Sequence, residues 1–134
     1  MITLKLHRFP PPLSACYNNA RGRGRVKTKR YIAWQHSCAK ELLGTGLIGE
    51  ANMFQHPFQA PWESQAAIIG EVKAEYIFRR PDKRRRDLGN LEKAVSDTLV
   101  KYGVIEDDSL IVDLRLRWGG DSPVTITIRE AGNG

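Results

Sequence analysis

Between Ala67 and Trp118 the spacing of apolar residues changes period twice, and this limits the chain to layered folds. Val72, Ala74, Tyr76 and Phe78 alternate with Glu71, Lys73 and Glu75. That is the period of two of a half-buried strand, expected over Ala67–Phe78. Leu88, Leu91, Ala94, Val95, Thr98 and Leu99 then recur at helical intervals, so an amphipathic helix is expected from Asp87 or Leu88 to Tyr102. Asp87 is placed to cap it, and Gly103 is a natural left-handed stop. From Leu110 to Trp118 the period returns to two: Leu110, Val112, Leu114, Leu116 and Trp118 oppose Ile111, Asp113, Arg115 and Arg117. A strand, a helix and a strand, each with an apolar side, bury those sides only by stacking in layers.

The rest of the chain adds to the same layers. Ile2–Leu6 alternates as a strand and is ended by Pro10-Pro11-Pro12, because proline removes ladder donors. Residues 14–28, with Arg21-Gly22-Arg23-Gly24-Arg25 at their centre, read as a basic mobile loop; wrapping a phosphate chain and plain solvation both fit that composition. Thr28 caps an expected helix over Lys29–Leu43, with Ile32, Trp34 or Gln35, Cys38, Ala39, Leu42 and Leu43 inward and Gly44 and Gly46 ending it. Residues 44–66 have no clear period and read as a long loop or insertion, with Phe54, Phe58 and Trp62 as a conceivable dimer contact. Gly119-Gly120-Asp121-Ser122 is a turn, and Val124–Ile128 is expected to close a hairpin with the preceding strand. The expected architecture is α+β: a single domain over residues 1–134, in the order β-α-β-α-β-β, with a mixed sheet packed against two helices. A chain of 134 residues suits one core.

The formal charge is +6, and more than half of the 21 lysines and arginines fall in two clusters, Arg21–Arg30 and Arg79–Arg86. Clustered cations favour a polyanionic partner over a generally basic surface. No apolar run approaches the ~20 residues of a membrane helix, and the N-terminus lacks the long apolar region of a signal peptide. Cys16 and Cys38 are too few for a disulfide framework, so two free thiols and a cytoplasmic setting are expected. His7, His36 and His56 have no metal-ligand spacing, and Gly22 and Gly24 form no P-loop because no Gly-Lys-Ser/Thr follows.

Chemistry concentrates in Asp82-Lys83-Arg84-Arg85-Arg86-Asp87-Leu88-Gly89-Asn90-Leu91-Glu92-Lys93 and, further on, Glu106-Asp107-Asp108. Cations hold phosphate, and carboxylates brought together from separate elements hold Mg²⁺, which prefers oxygen ligands. Packing the helix on the sheet would bring Asp87 towards Asp107 and Asp108. Lys93, six residues after Asp87, would then reach the same place and stabilise developing charge. Each piece also has a plainer role: Asp87 as an N-cap, Asp107-Asp108 as a turn pair, Lys93 and Arg84–Arg86 as solvated groups. Their joint occurrence is what points to phosphodiester chemistry on nucleic acid.

These residues resemble the RusA family of Holliday junction resolvases. The resemblance lies in Arg84-Arg85-Arg86-Asp87-Leu88-Gly89-Asn90-Leu91-Glu92-Lys93-Ala94, then Asp97, Leu99, Asp107-Asp108 and Val112. It extends to Pro10-Pro11-Pro12 with Tyr17-Asn18-Asn19, to the basic segment Arg21–Tyr31, and to the Thr125–Ile128 strand; roughly 44–66 is longer than the family suggests. The resemblance implies a small homodimer, bacterial or phage-encoded, that resolves four-way DNA junctions by paired symmetric nicks using Mg²⁺, with Mn²⁺ able to substitute. It implies Asp87 and Asp108 as catalytic, metal-binding acids with Asp107 beside them, and Lys93 as the catalytic lysine. Arg21, Arg23, Arg25, Lys27, Lys83, Arg84, Arg85 and Arg86 would contact DNA. Gly89 departs from the family pattern Asp-Leu-Asp-Asn-Leu, in which the second Asp is a metal-binding catalytic residue. Three explanations are open: an engineered inactive variant, a natural branched-DNA-binding dimer that no longer cleaves, or compensation by Glu92, Asp113 or Asp82.

Overall fold

Four strands, β1 (Ile2–Leu6), β4 (Val72–Phe78), β5 (Ile111–Trp118) and β6 (Val124–Glu130), form one mixed sheet in the order β1-β6-β4-β5. The computed structural model describes residues 1–49 and 66–132. Between β1 and β4 lie a 3-10 turn (Leu13–Ala15), the hairpin β2 (Tyr17–Ala20) and β3 (Gly24–Lys27), and helix α1 (Lys29–Thr45). Helix α2 (Gly89–Lys101) and a second 3-10 turn (Asp108–Leu110) join β4 to β5. The two long helices and the mixed sheet match the expected α+β build. The hairpin adds two strands to the expected order.

The inward positions of the sheet are Leu4, Leu6, Val72, Ala74, Tyr76, Phe78, Val124, Ile126 and Ile128, all buried. They form one core cluster with Trp34, Cys38, Ala39 and Leu42 of α1 and Leu91, Ala94, Val95 and Leu99 of α2. The opposite face carries Lys73, Glu75, Arg115 and Arg129 around a shallow depression. Cys16 and Cys38 are both free and buried, as expected. Among the described residues no helix is long and apolar enough to cross a membrane.

Thr28 caps α1 as expected, its Oγ1 accepting from the Tyr31 N–H at 3.2 Å. The buried stripe is Tyr31, Trp34, Gln35, Cys38, Ala39 and Leu42, one residue away from the expected start. Ile32 is exposed, because a stripe begun at Tyr31 leaves position 32 a further 100° round the helix. Gly44 lies inside α1, and Gly46, with φ at 78°, ends it. Most of the segment expected as a long loop, residues 50–65, lies outside the described residues, and so do Phe54, Phe58 and Trp62.

Residues 14–28 are not a loop. After the 3-10 turn, Tyr17 pairs with Lys27, Asn18 with Val26, Asn19 with Arg25 and Ala20 with Gly24. Gly22 and Gly24 both have positive φ, so the glycines that suggested flexibility instead supply a tight turn.

Two expectations about the sheet are overturned. First, β5 and β6 are not hairpin partners: β5 runs parallel to β4, while β6 pairs antiparallel with β4 on one side and with β1 on the other. The connection passes over the end of β4, pinned by the Gly119 N–H donating to the Phe78 carbonyl at 2.9 Å and the Arg79 N–H donating to that of Pro123 at 3.2 Å. Gly120 has φ at +79°, and a Cβ there would stand 3.3 Å from Ile77 Cγ2. This central place lets β6 bury Val124, Ile126 and Ile128 while satisfying both of its backbone edges. Second, residues 67–71 are not part of β4. The Ala67 and Ile68 N–H groups donate to the carbonyls of Gly103 and Val104, beyond α2, and Gly70 turns the chain with φ at 84°.

A bulge also shifts β5. Val72 pairs with Ile111 but Lys73 pairs with Asp113, so Val112 is the extra residue. Ile111 therefore shares the inner side with Leu114, Leu116 and Trp118, and Val112 is 51% exposed. Replacing Val112 by Thr is expected to change stability by less than about 0.5 kcal/mol, as at ordinary surface sites. Leu114→Thr should cost clearly more, and a pair of urea titrations compares them. Equal losses would contradict the bulge.

Candidate functional site

The start of α2 places the first candidate acid. Asp87 is exposed, and its Oδ1 accepts from the Gly89 N–H at 2.9 Å, so one carboxylate oxygen caps the helix. Among the described residues Oδ2 accepts no hydrogen bond. Gly89 is the first residue of α2 and does not have a left-handed φ. A Cβ built there would lie 3.4 Å from Asp87 Oδ1, an ordinary contact. The backbone at this position therefore accepts an L side chain, and that side chain would start beside the Asp87 carboxylate.

Lys93 connects α2 to the second acidic segment. Its Nζ lies 3.0 Å from Asp97 Oδ1, one helical turn on, and 3.6 Å from Asp108 Oδ2 in the turn before β5. The hydrogen bond to Asp97 is the main cause of a raised Lys93 pKa, and the Asp97 and Asp108 charges add to it, so the ammonium is firmly protonated. Asp97 Oδ2 accepts from the Tyr17 hydroxyl at 3.3 Å. The hairpin, α2 and the Asp108 turn thus meet around one lysine and one carboxylate. Asp97 had no role assigned from the sequence beyond its place in the motif. The i,i+4 spacing of Lys93 and Asp97 was the signal for it.

Asp107 and Asp108 do different things. Asp107 precedes the 3-10 turn and accepts from the Ser109 hydroxyl at 2.5 Å; that bond is the main reason its pKa is lowered. Asp107 is thus held in a local turn, whereas Asp108 is the acid that meets Lys93. Of the three proposed substitutes for a missing carboxylate, two are engaged by other partners and one lies on the outer face of the sheet. Glu92 accepts from Ser96, which is bonded to the buried Tyr76 hydroxyl. Asp82 is held by Arg86, at 2.7 Å, and by the Arg84 N–H. Asp113 lines the depression on the outer face of the sheet, with Lys73 and Arg115.

Whether these residues fit a divalent cation follows from the same geometry. Among the described residues no three His, Cys, Asp or Glu side chains converge as a metal-binding group. Asp87 is partly used in capping, Asp108 faces an ammonium, and position 89 has no side chain. The set does not fit a complete carboxylate site.

One basic cluster lies on the hairpin that Tyr17 ties to α2, and the other directly precedes Asp87 in the chain. Arg21, Arg23 and Arg25 are exposed on the hairpin, with the Arg25 guanidinium 4.6 Å from the Tyr17 ring centroid. Lys27, expected to contact DNA, is half-buried: its Nζ donates to Gln35 at 2.9 Å, and desolvation lowers its pKa. It braces the hairpin against α1. In the second cluster Lys83, Arg84 and Arg85 are exposed. Arg86 is half-buried, paired with Asp82 and set 5.7 Å from the Phe9 ring. Phe9 stacks on Trp118, with 5° between the rings, and Arg80 lies 4.5 Å from the Trp118 ring on the same aromatic group. Two aromatic residues from distant parts of the chain thus anchor the arginine-rich loop; Trp118 was expected on the apolar side of its strand, whereas Phe9 was not singled out by its sequence context.

Known proteins share much of this sequence. The family model described as Endodeoxyribonuclease RusA matches residues 16–129. A protein of Enterobacteria phage 82 named crossover junction endodeoxyribonuclease rusA is 30% identical over 131 residues, covering 93% of this chain and 92% of the relative. Proteins of Escherichia coli K12 and Shigella sonnei, named crossover junction endodeoxyribonuclease RusA, are 44% identical over 68 residues, covering 46% of this chain and 54% of each relative.

Proposed function

Because this chain belongs to the RusA family of endodeoxyribonucleases, we propose that it recognises four-way DNA junctions as a homodimer, with a phosphodiester-cleaving site short of one carboxylate. The observation that carries this reading is Lys93 of α2, held between Asp97 and Asp108, on the helix that follows Asp87 and the arginine-rich segment. A lysine kept charged beside acids, on a surface rich in arginine, is suited to a phosphate whose negative charge grows during cleavage. The relatives are named for crossover junctions, which suggests the class of DNA. A two-fold dimer would present two equivalent sites to a two-fold junction, as paired nicks require.

Asp87 and Asp108, with Asp107 beside it, are the residues for Mg²⁺ or Mn²⁺ in this reading. The glycine at 89 leaves no side chain where a Cβ would stand 3.4 Å from Asp87 Oδ1, so in this reading metal affinity is weak and cleavage by this chain is impaired. A second reading follows from that position: a dimer that binds branched DNA without cutting it.

Junction recognition is tested without cleavage. In EDTA, labelled four-way junction is competed with unlabelled junction or with linear duplex of the same composition. The junction is expected to compete better throughout a salt series. Neutralising Arg21, Arg23 and Arg25 to Gln should weaken binding to both DNAs. It should also reduce the salt slope by up to about 0.9 for each phosphate that the variant no longer neutralises. Equal competition by the two DNAs would reduce the proposal to non-specific charge.

A further inference from the structure

We propose that the groove between the β2–β3 hairpin and the start of α2 takes an unstacked nucleobase of the bound DNA. This rests on the reading of the chain as a DNA-binding protein and adds a base-reading site to it. The groove is open, about 530 Å³ in volume, and lined chiefly by Tyr17, Asn18, Asn19, Arg25 and Asn90. Asn90 lies three residues after Asp87, so the groove adjoins the proposed cleavage site.

The chemistry of the lining favours a base over a phosphate. Phosphate oxygens only accept hydrogen bonds, so a phosphate site is built from cations and N–H donors. Among the described residues that line the groove only Arg25 is charged, and its guanidinium is already set over the Tyr17 ring at 4.6 Å. The remaining polar groups include three carboxamides, each of which both donates and accepts. That matches the mixed donor and acceptor edge of a nucleobase. Among the described residues none of the Asn18, Asn19 and Asn90 side chains has a hydrogen-bond partner, so all three amides are available. The Arg25–Tyr17 pair supplies a flat cationic surface on which a base can stack. Arg21 and Arg23, at the hairpin turn, remain outside the groove to hold the neighbouring phosphates.

The pairing of β2 with β3 holds this arrangement in place. Asn18 and Asn19 are exposed residues of a strand fixed in register with Val26 and Arg25. The Tyr17 hydroxyl ties that strand to Asp97 on α2. A base in the groove would therefore be held at a set distance from the α2 acids.

The test is a panel of junctions that differ only in the base at each position around the exchange point, measured by competition in EDTA. The parent chain is expected to favour one base at one position by about tenfold, the effect of one well-made pair of hydrogen bonds. Asn18→Ala/Asn19→Ala should flatten that profile while keeping both its thermal midpoint and its preference for junction over duplex. A flat profile in the parent chain, or a preference that survives in the double variant, overturns the proposal and leaves junction recognition standing. If the parent shows no preference for junctions, the same panel made as single-stranded oligonucleotides reads the groove separately. A base preference that disappears in the variant then supports the groove, and a flat result overturns it.

Discussion

Gly89→Asp is expected to raise Mg²⁺- or Mn²⁺-dependent junction cleavage by about a hundredfold. Even the outer partners of metal ligands are worth 10–100-fold in affinity or activity, so a missing ligand should be worth at least the upper end. The structure favours the substitution on three counts. The backbone at 89 is free of left-handed strain, a Cβ fits at 3.4 Å from Asp87 Oδ1, and the position opens α2, where a carboxylate suits the positive end of the helix. Without metal, the new carboxylate repels Asp87, so the stability gain from replacing glycine is largely cancelled. A bound divalent cation would be held by both carboxylates and would offset that repulsion. The thermal midpoint of the Asp variant should therefore rise on adding Mn²⁺, while that of the parent barely moves. An Asp variant that folds and binds junction DNA, yet neither cleaves nor responds to Mn²⁺, would overturn the assignment of Asp87 and Asp108.

Lys93→Met should lower cleavage in the Gly89→Asp background by about 10²–10³-fold, the effect of removing one group that stabilises developing charge. Junction affinity in EDTA should change far less, because Lys93 is one cation beside two basic clusters. Stability should fall by no more than about 1 kcal/mol: Lys93 is 45% exposed, and pairs that solvent reaches are weak. Met keeps most of the unbranched stem and removes the charge, so a loss confined to the cleavage step separates a catalytic ammonium from a packing residue. Parallel loss of binding and cleavage would place Lys93 among the general DNA-binding cations instead.

Much of the site was legible because its residues lie close together in sequence. Asp87 and Lys93 share one helix, and the family motif spans its first turns. The setting of Lys27 was not legible, for a physical reason. Its neighbours in sequence are cations on a glycine-rich turn, while its partner Gln35 lies on α1, and only packing brings the two together. Asp97 was visible in the motif, yet its role depends on Tyr17, a residue 80 positions away. The stack of Phe9 on Trp118 that anchors Arg80 and Arg86 joins segments still further apart.

The sequence by itself determined the two long helices, the four strands of the main sheet, most of their buried positions, and the family. Apolar period and capping act over a few residues, and so can be read locally. Tertiary structure decided which strands are neighbours, and so placed β6 between β1 and β4 rather than beside β5. It also decided that a single bulge turns Val112 outward, since register depends on the partner strand and not on the strand's own alternation. And it decided that Asp108, rather than Asp107, meets Lys93. Two adjacent acids look alike in sequence, but the 3-10 turn points them at different partners.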